Sequence, residues 1–175
     1  MNPRNNPKYP ISSSTGGSLL FNGTSQYLTT PITAAFQFGT STDFTIEAWF
    51  FNNLASATNQ KTIVSAWGSP SANSYQISLV NPGYLLWQIY TQQNSTQVIP
   101  SYNAWHHVAW CRKGSTCYLF LDGTLIDTAL NVTNSANGTG SNLSIGATPQ
   151  GPTAYFPGYI TNVRIVKGTA LYTTS

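Results

Sequence analysis

Apolar side chains recur at every second position through residues 43–51, where Phe44, Ile46, Ala48 and Phe50 alternate with Thr45, Glu47 and Trp49. That period predicts a strand with one buried face and a second, partly aromatic face. Shorter apolar-rich runs at 18–21, 27–28, 62–66, 75–80, 84–90, 104–112, 116–121, 124–129, 143–145 and 158–167 are separated by Gly, Pro, Asn and Ser clusters, the spacing expected of an antiparallel all-β domain. Two turns can be placed from their chemistry, at Lys113-Gly114 and at Asp122-Gly123. The second is a strong hairpin signal, and together they predict a three-stranded meander over residues 104–129. No apolar stripe at helical spacing persists for three turns, so helix content is expected to be very low. Residues 1–17 hold three prolines, Arg4, Lys8 and a Ser/Thr/Gly string. They predict an extended N-terminal arm ahead of a β-domain over residues 18–175.

Composition sharpens this picture. The 175 residues suffice for one core, and they are 41% hydrophobic but only 6% charged, against roughly 25% charged in an ordinary soluble domain. Neutral polar groups must therefore carry the exposed strand faces. The net charge of +3 arises from seven basic and four acidic residues, with no basic run to follow a phosphate backbone, so nucleic acid is not an expected partner. No segment reaches the roughly 18 to 20 apolar residues of a membrane span, and residues 1–17 do not resemble a signal peptide. The expectation is synthesis in a cytoplasm from Met1, with the two cysteines starting as thiols. Sequons at Asn22, Asn94, Asn131, Asn137 and Asn142 are attributed to the abundance of Asn, Ser and Thr.

Six phrases in order carry a resemblance: SLLFNGTSQYL from Ser18, STDFTIEAWF from Ser41, AWHHVAW from Ala104, CYLFLDGTLI from Cys117, LSIG from Leu143 and FPGYITNVRIVKGTALY from Phe156. Over residues 18–172 the chain resembles the concanavalin A-like lectin/glucanase superfamily, and within it the laminin-G-like jelly rolls found in bacteriophage virion proteins. The resemblance implies a jelly-roll sandwich of two antiparallel sheets, with the first and last strands adjacent. Phe44, Ile46, Ala48, Phe50, Val108 and Trp110 would then line the core between the sheets. The final phrase, through Ile160, Val163, Ile165 and Val166, would return beside the first strand.

Candidate chemistry is sparse. Glycoside hydrolases of the superfamily need paired carboxylates, whereas Asp43, Glu47, Asp122 and Asp127 include no two at neighbouring same-face positions of one strand. Structural roles are expected for all four, and no catalytic residue, cofactor or metal is assigned. His106 and His107 are adjacent and face opposite ways in a strand, so they cannot chelate one ion. One is expected against the sheet edge and the other exposed. Some laminin-G-like domains bind calcium at a sandwich rim, a role open here only to Asp122 and Asp127. Cys111 and Cys117 flank the first turn: a three-residue loop would set them opposite each other as a candidate disulfide, a two-residue loop would set them diagonally, and buried thiols are the simpler state. Sugar faces stack on aromatic rings, which makes Trp67, Tyr84, Trp87 and Tyr155, together with Trp49 and Tyr90, the candidate glycan contacts.

Two functions follow as expectations. The first is a non-enzymatic capsid decoration or cement protein of a phage virion. Its arm, with Arg4, Lys8, Tyr9, Pro10 and Ile11, would hold the major capsid protein or another virion protein, and its copies would assemble, a trimer being favoured. The second is a lectin-like receptor or host-adhesion module that binds polysaccharide.

Overall fold

The computed structural model describes residues 17–53, 57–68 and 73–174. The arm residues Arg4, Lys8, Tyr9, Pro10 and Ile11 lie outside them. Twelve strands form two six-stranded antiparallel sheets. The first sheet runs in the order β1 (Leu19–Asn22), β12 (Pro157–Lys167), β3 (Phe44–Asn52), β8 (Ala104–Lys113), β9 (Thr116–Leu121) and β10 (Thr124–Ala129). The second runs β2 (Leu28–Pro31), β11 (Asn142–Ile145), β4 (Lys61–Ser65), β5 (Tyr75–Val80), β6 (Tyr84–Ile89) and β7 (Gln92–Ser95). First and last strands pair, and the only helical turn among the described residues is a single 3-10 turn at Ala34–Phe36.

The core forms where the inward alternations of the two sheets meet. Phe44, Ile46, Ala48 and Phe50 from β3 and Val108 and Trp110 from β8 are fully buried. They face Tyr75, Ile77 and Leu79 of β5 and Leu85, Trp87 and Ile89 of β6, which are buried to the same degree. Ile160 joins this core, while Val163 and Ile165 pack on it half-buried. Gly158 shows how closely the sheet approaches itself there, because a Cβ at this position (φ 135°) would lie 2.2 Å from the Phe51 carbonyl oxygen.

Local irregularities aim individual side chains. Asp122 (φ 51°) and Gly123 (φ 82°) form the two-residue turn between β9 and β10, both left-handed as a primed turn requires. A bulge in β12 between Thr161 and Arg164 inserts one residue, and Arg164 thereby falls opposite Glu47 on the outer face. A second bulge, in β10, sets Asp127 opposite the core residue Leu119 and turns its carboxylate inward. Arg112 is fully buried at the end of β8, where its guanidinium donates to the carbonyls of Phe38 (2.8 Å), Gly39 (3.0 Å) and Thr42 (2.8 Å) and lies 5.0 Å from the Phe44 ring centroid.

Of the alternatives for the cysteines, the structure has the shorter loop and buried thiols, and the candidate disulfide is not formed. Lys113 pairs with Thr116, so the loop has two residues, Gly114 and Ser115. Cys111 then lies opposite Tyr118 and Cys117 opposite Arg112, which puts the thiols on opposite faces of the sheet. Both are free and buried. Burial pushes the Cys117 thiol up to about 12. The expectation of one exposed histidine is corrected: both are buried, His106 among loop and turn and His107 beneath Trp49, whose ring centroid lies 5.2 Å away.

Candidate functional site

The outward positions of the second sheet fall in register. Ser65 of β4 pairs with Gln76 of β5, Gln76 with Gln88 of β6, and Gln88 with Gln93 of β7. A row of neutral polar side chains therefore crosses four strands on the face turned from the core. Gln88 Nε2 donates to the Tyr90 carbonyl (2.9 Å), an atom that can only accept, and this fixes which way the Gln88 amide points. Its Oε1 then accepts from Gln76 Nε2 (2.8 Å), and Gln76 Oε1 accepts in turn from Gln60 Nε2 (2.8 Å). A second donor contact ties Gln60 to Ser78 Oγ at 3.1 Å. The amides of Gln76 and Gln88 thus share one polarity, and each has one N–H and one lone pair that these bonds do not use; Gln76 lies buried (3% exposed) and Gln88 half-buried along the cleft.

Above this row lies a cleft of about 540 Å³, bordered by Gln60, Trp67, Thr148 and Thr153. Its wall over residues 147–154 is built in place. Thr62 N donates to the Ala154 carbonyl (2.8 Å), Thr148 N donates to the Thr153 carbonyl (2.9 Å), and Ser144 Oγ bonds the Ala147 carbonyl. Trp67, half-buried, borders the same cleft as the amides. No charged side chain lines the cleft among the described residues.

The aromatic candidates separate. Trp67 alone borders the cleft. Trp87 is a correction: it is 1% exposed, stacks on Trp110 with centroids 5.5 Å apart, and donates from Nε1 to Asp127 (2.7 Å), so it offers no face to a ligand. Tyr84 is half-buried at the start of β6, and Tyr155 packs 6.2 Å from Tyr27 beside the β1 and β2 edge. Trp49 lies on the outer face of the other sheet with His107. Tyr90 contributes its backbone carbonyl to the amide chain. Sequence reasoning passed over Gln60, Gln76 and Gln88. The alternation within 75–80 and 84–90 already turned Gln76 and Gln88 outward, but only the register shows that they meet.

Two polar clusters lie elsewhere. His106 Nδ1 is 2.7 Å from Asp122 Oδ2, and its Nε2 is 3.0 Å from both the hydroxyl and the carbonyl of Ser101. The structure thus brings together a serine, a histidine and an aspartate that the sequence showed as unconnected. Nδ1 donates to the Asp122 carboxylate, and when the ring is protonated Nε2 donates to the Ser101 carbonyl as well; in that state Nε2 cannot act as base toward Ser101. Burial alone would lower the His106 pKa; the Asp122 hydrogen bond, the Ser101 carbonyl and the Asp122 charge outweigh it and hold the imidazole above its ordinary value. The unit is a clamp that joins the 99–103 loop to the β9–β10 turn. In the second cluster Arg164 Nε donates to Glu47 Oε1 at 2.5 Å, and His107 Nε2 lies 3.4 Å from Glu47 Oε2. Burial would raise the Glu47 pKa, but hydrogen bonds from His107, Arg164 and Tyr172 bring it down to about 2. Among the described residues no three His, Cys, Asp or Glu side chains converge on one point that could hold a metal ion.

A family model described as "concanavalin A-like lectin/glucanases superfamily" matches residues 22–171. Solved structures of similar fold include domain 4 of an extracellular arabinanase from Geobacillus stearothermophilus in complex with arabinotriose, 17% identical, covering 90% of this chain and 74% of that one, TM-score 0.65. The CBM40 module of the Ruminococcus gnavus IT-sialidase bound to α2,3-sialyllactose is 15% identical, with 84% and 94% covered and a TM-score of 0.63. The LG4-5 domains of the mouse laminin alpha1 chain are 16% identical, with 91% and 44% covered and a TM-score of 0.62. These are likenesses of fold. No curated protein matches the chain. The chain belongs to the concanavalin A-like lectin/glucanase superfamily.

Proposed function

We propose that this superfamily member is a non-catalytic carbohydrate-binding module whose ligand lies in the cleft over β4, β5 and β6. The observation that carries this reading is the polarised amide chain from Gln60 through Gln76 to Gln88 beneath the half-buried Trp67. Hydroxyl groups both donate and accept, and the amides of Gln76 and Gln88 each offer one of each. An indole at the mouth supplies the apolar face that sugar rings stack on. Two structures of similar fold, solved with arabinotriose and with sialyllactose bound, agree with it. Catalysis is not part of the reading, since Glu47 and Asp127 point to opposite faces of the first sheet and His106 is committed to its clamp. Affinity electrophoresis through polysaccharide gels tests it: retardation of the native chain and loss of retardation in Trp67→Ala are expected, and unretarded migration in every gel would end the reading.

A second reading, attachment to a phage particle as a decoration protein, has one observation in its favour. Among the described residues no strand pairs with the outer side of β1 or β2, and Leu19, Leu20 and Leu28 are exposed there. The opposite edge is tied across by Asn94 to Asp127 (2.6 Å) and by Gln92 to the backbone of residues 131–134. An open apolar edge suits strand addition or packing by a shell protein or by further copies, in threes at a local three-fold position. Hundreds of copies per particle, and release from emptied heads on deletion of residues 1–17, are the expected results. A handful of copies, or attachment indifferent to that deletion, would remove the reading.

A further inference from the structure

We infer that the cleft selects an uncharged, extended glycan laid across the strands, recognised by amide pairs without an ion at the contact. This rests on the carbohydrate-binding reading and specifies its ligand.

Charge is segregated between the sheets. In the six strands of the second sheet Lys61 is the one charged residue, and it sits opposite Leu79, on the core side of β5. All four acids belong to the other half of the molecule: Glu47 in β3, Asp127 in β10, Asp43 just before β3 and Asp122 in the β9–β10 turn. A uronate, sialate or sulfate needs a cationic fork or ammonium to repay its lost hydration. The outward positions of Ser65, Gln76, Ser78 and Gln88 supply none. What they supply is neutral and paired.

The geometry also gives the ligand a direction. Gln76 and Gln88 occupy neighbouring strands in register, and neighbouring strands are about 4.8 Å apart, on the order of one sugar unit. A chain running from β5 toward β6 would therefore meet the Gln76 and Gln88 amides with successive residues. Each amide is held by its neighbour and finally by the Tyr90 carbonyl, so little side-chain freedom remains to be lost on binding. Gln→Glu changes keep the shape, delete the Nε2 donor and introduce charge.

The test is titration calorimetry of the full chain against neutral polysaccharides (laminarin, arabinan, mannan, xylan) and acidic ones (alginate, polygalacturonate), with and without EDTA and in about 0.5 M NaCl, where charge pairing is screened. Expected is binding to at least one neutral polymer, changed less than about twofold by salt or EDTA, and weakened about tenfold or more in Gln76→Glu and Gln88→Glu. Gln60→Glu, on a half-buried side chain at the cleft border, serves if Gln76→Glu does not fold. Trp49→Ala, on the other sheet, should bind as the native chain does. Binding confined to acidic polymers and abolished by salt would overturn the inference while leaving carbohydrate binding intact. Neutral binding untouched by all three Gln→Glu changes would move the ligand off this cleft and overturn it as well. No binding to either panel would overturn both readings.

Discussion

Gln76 Nε2 donates to Gln88 Oε1 at 2.8 Å, from β5 to β6, on the face of the sheet away from the core. One bond therefore orients two groups before any ligand arrives. Gln76→Ala should leave the fold in place, with a stability loss of about 1 kcal/mol, the usual worth of a hydrogen bond, yet abolish retardation in polysaccharide gels. Urea unfolding and affinity electrophoresis on the same preparation separate the two effects.

Removal of the Arg112 side chain should be costly. Its guanidinium satisfies the carbonyls of Phe38, Gly39 and Thr42 from a fully buried position. Arg112→Leu would leave those oxygens short of donors, and a loss of about 3–5 kcal/mol is expected, read as a lowered urea midpoint. Arg112→Lys should recover only part of it, because an ammonium lacks the planar fork that spans three carbonyls.

Stability should fall at both ends of the pH range. Glu47 titrates at about 2 in the folded chain against 4.5 ordinarily, so the unfolded chain binds more protons between those values. Its contribution, at most about 3 kcal/mol, is present above pH 4.5 and disappears as pH falls toward 2. His106 is shifted upward, so its contribution is complete below its ordinary value of 6.5 and is lost as pH rises through its folded value. Urea midpoints measured across pH 2–9 should peak between those limits. Glu47→Gln should flatten the acid limb, and Asp122→Asn the alkaline one.

The thiols of Cys111 and Cys117, on opposite faces of one sheet, should stay unlinked. Oxidation of the folded protein should yield no internal disulfide, and both should react with a thiol reagent at appreciable rates only in denaturant. A mass loss of two hydrogens after folding in air would contradict this.

The strands whose apolar residues alternate were legible directly. Phe44, Ile46, Ala48 and Phe50 announce β3, and Asp122-Gly123 announces its hairpin, because burial and backbone sterics act locally. β7 (Gln92–Ser95) was not, since a wholly polar edge strand leaves no apolar period to detect. The inward turn of Asp127 and the pairing of Arg164 with Glu47 depend on bulges, which shift faces by one residue without a mark in the local pattern. The expectation of one exposed histidine failed for a related reason: strand alternation fixes the face but not what covers it, here Trp49 over His107 and the Ser101 loop over His106. The cleft was the least legible feature. Its three glutamines lie in a loop and two separate strands, and register alone assembles them.

Gly17 is held to β12 through Thr161, and residues 169–171 cross the outside of β3 by way of Thr45. These contacts lie on one broad side of the sandwich, and the amide-lined cleft opens on the other. A partner packed over the Thr45 and Thr161 side would therefore leave the cleft clear, as a mount leaves a mirror.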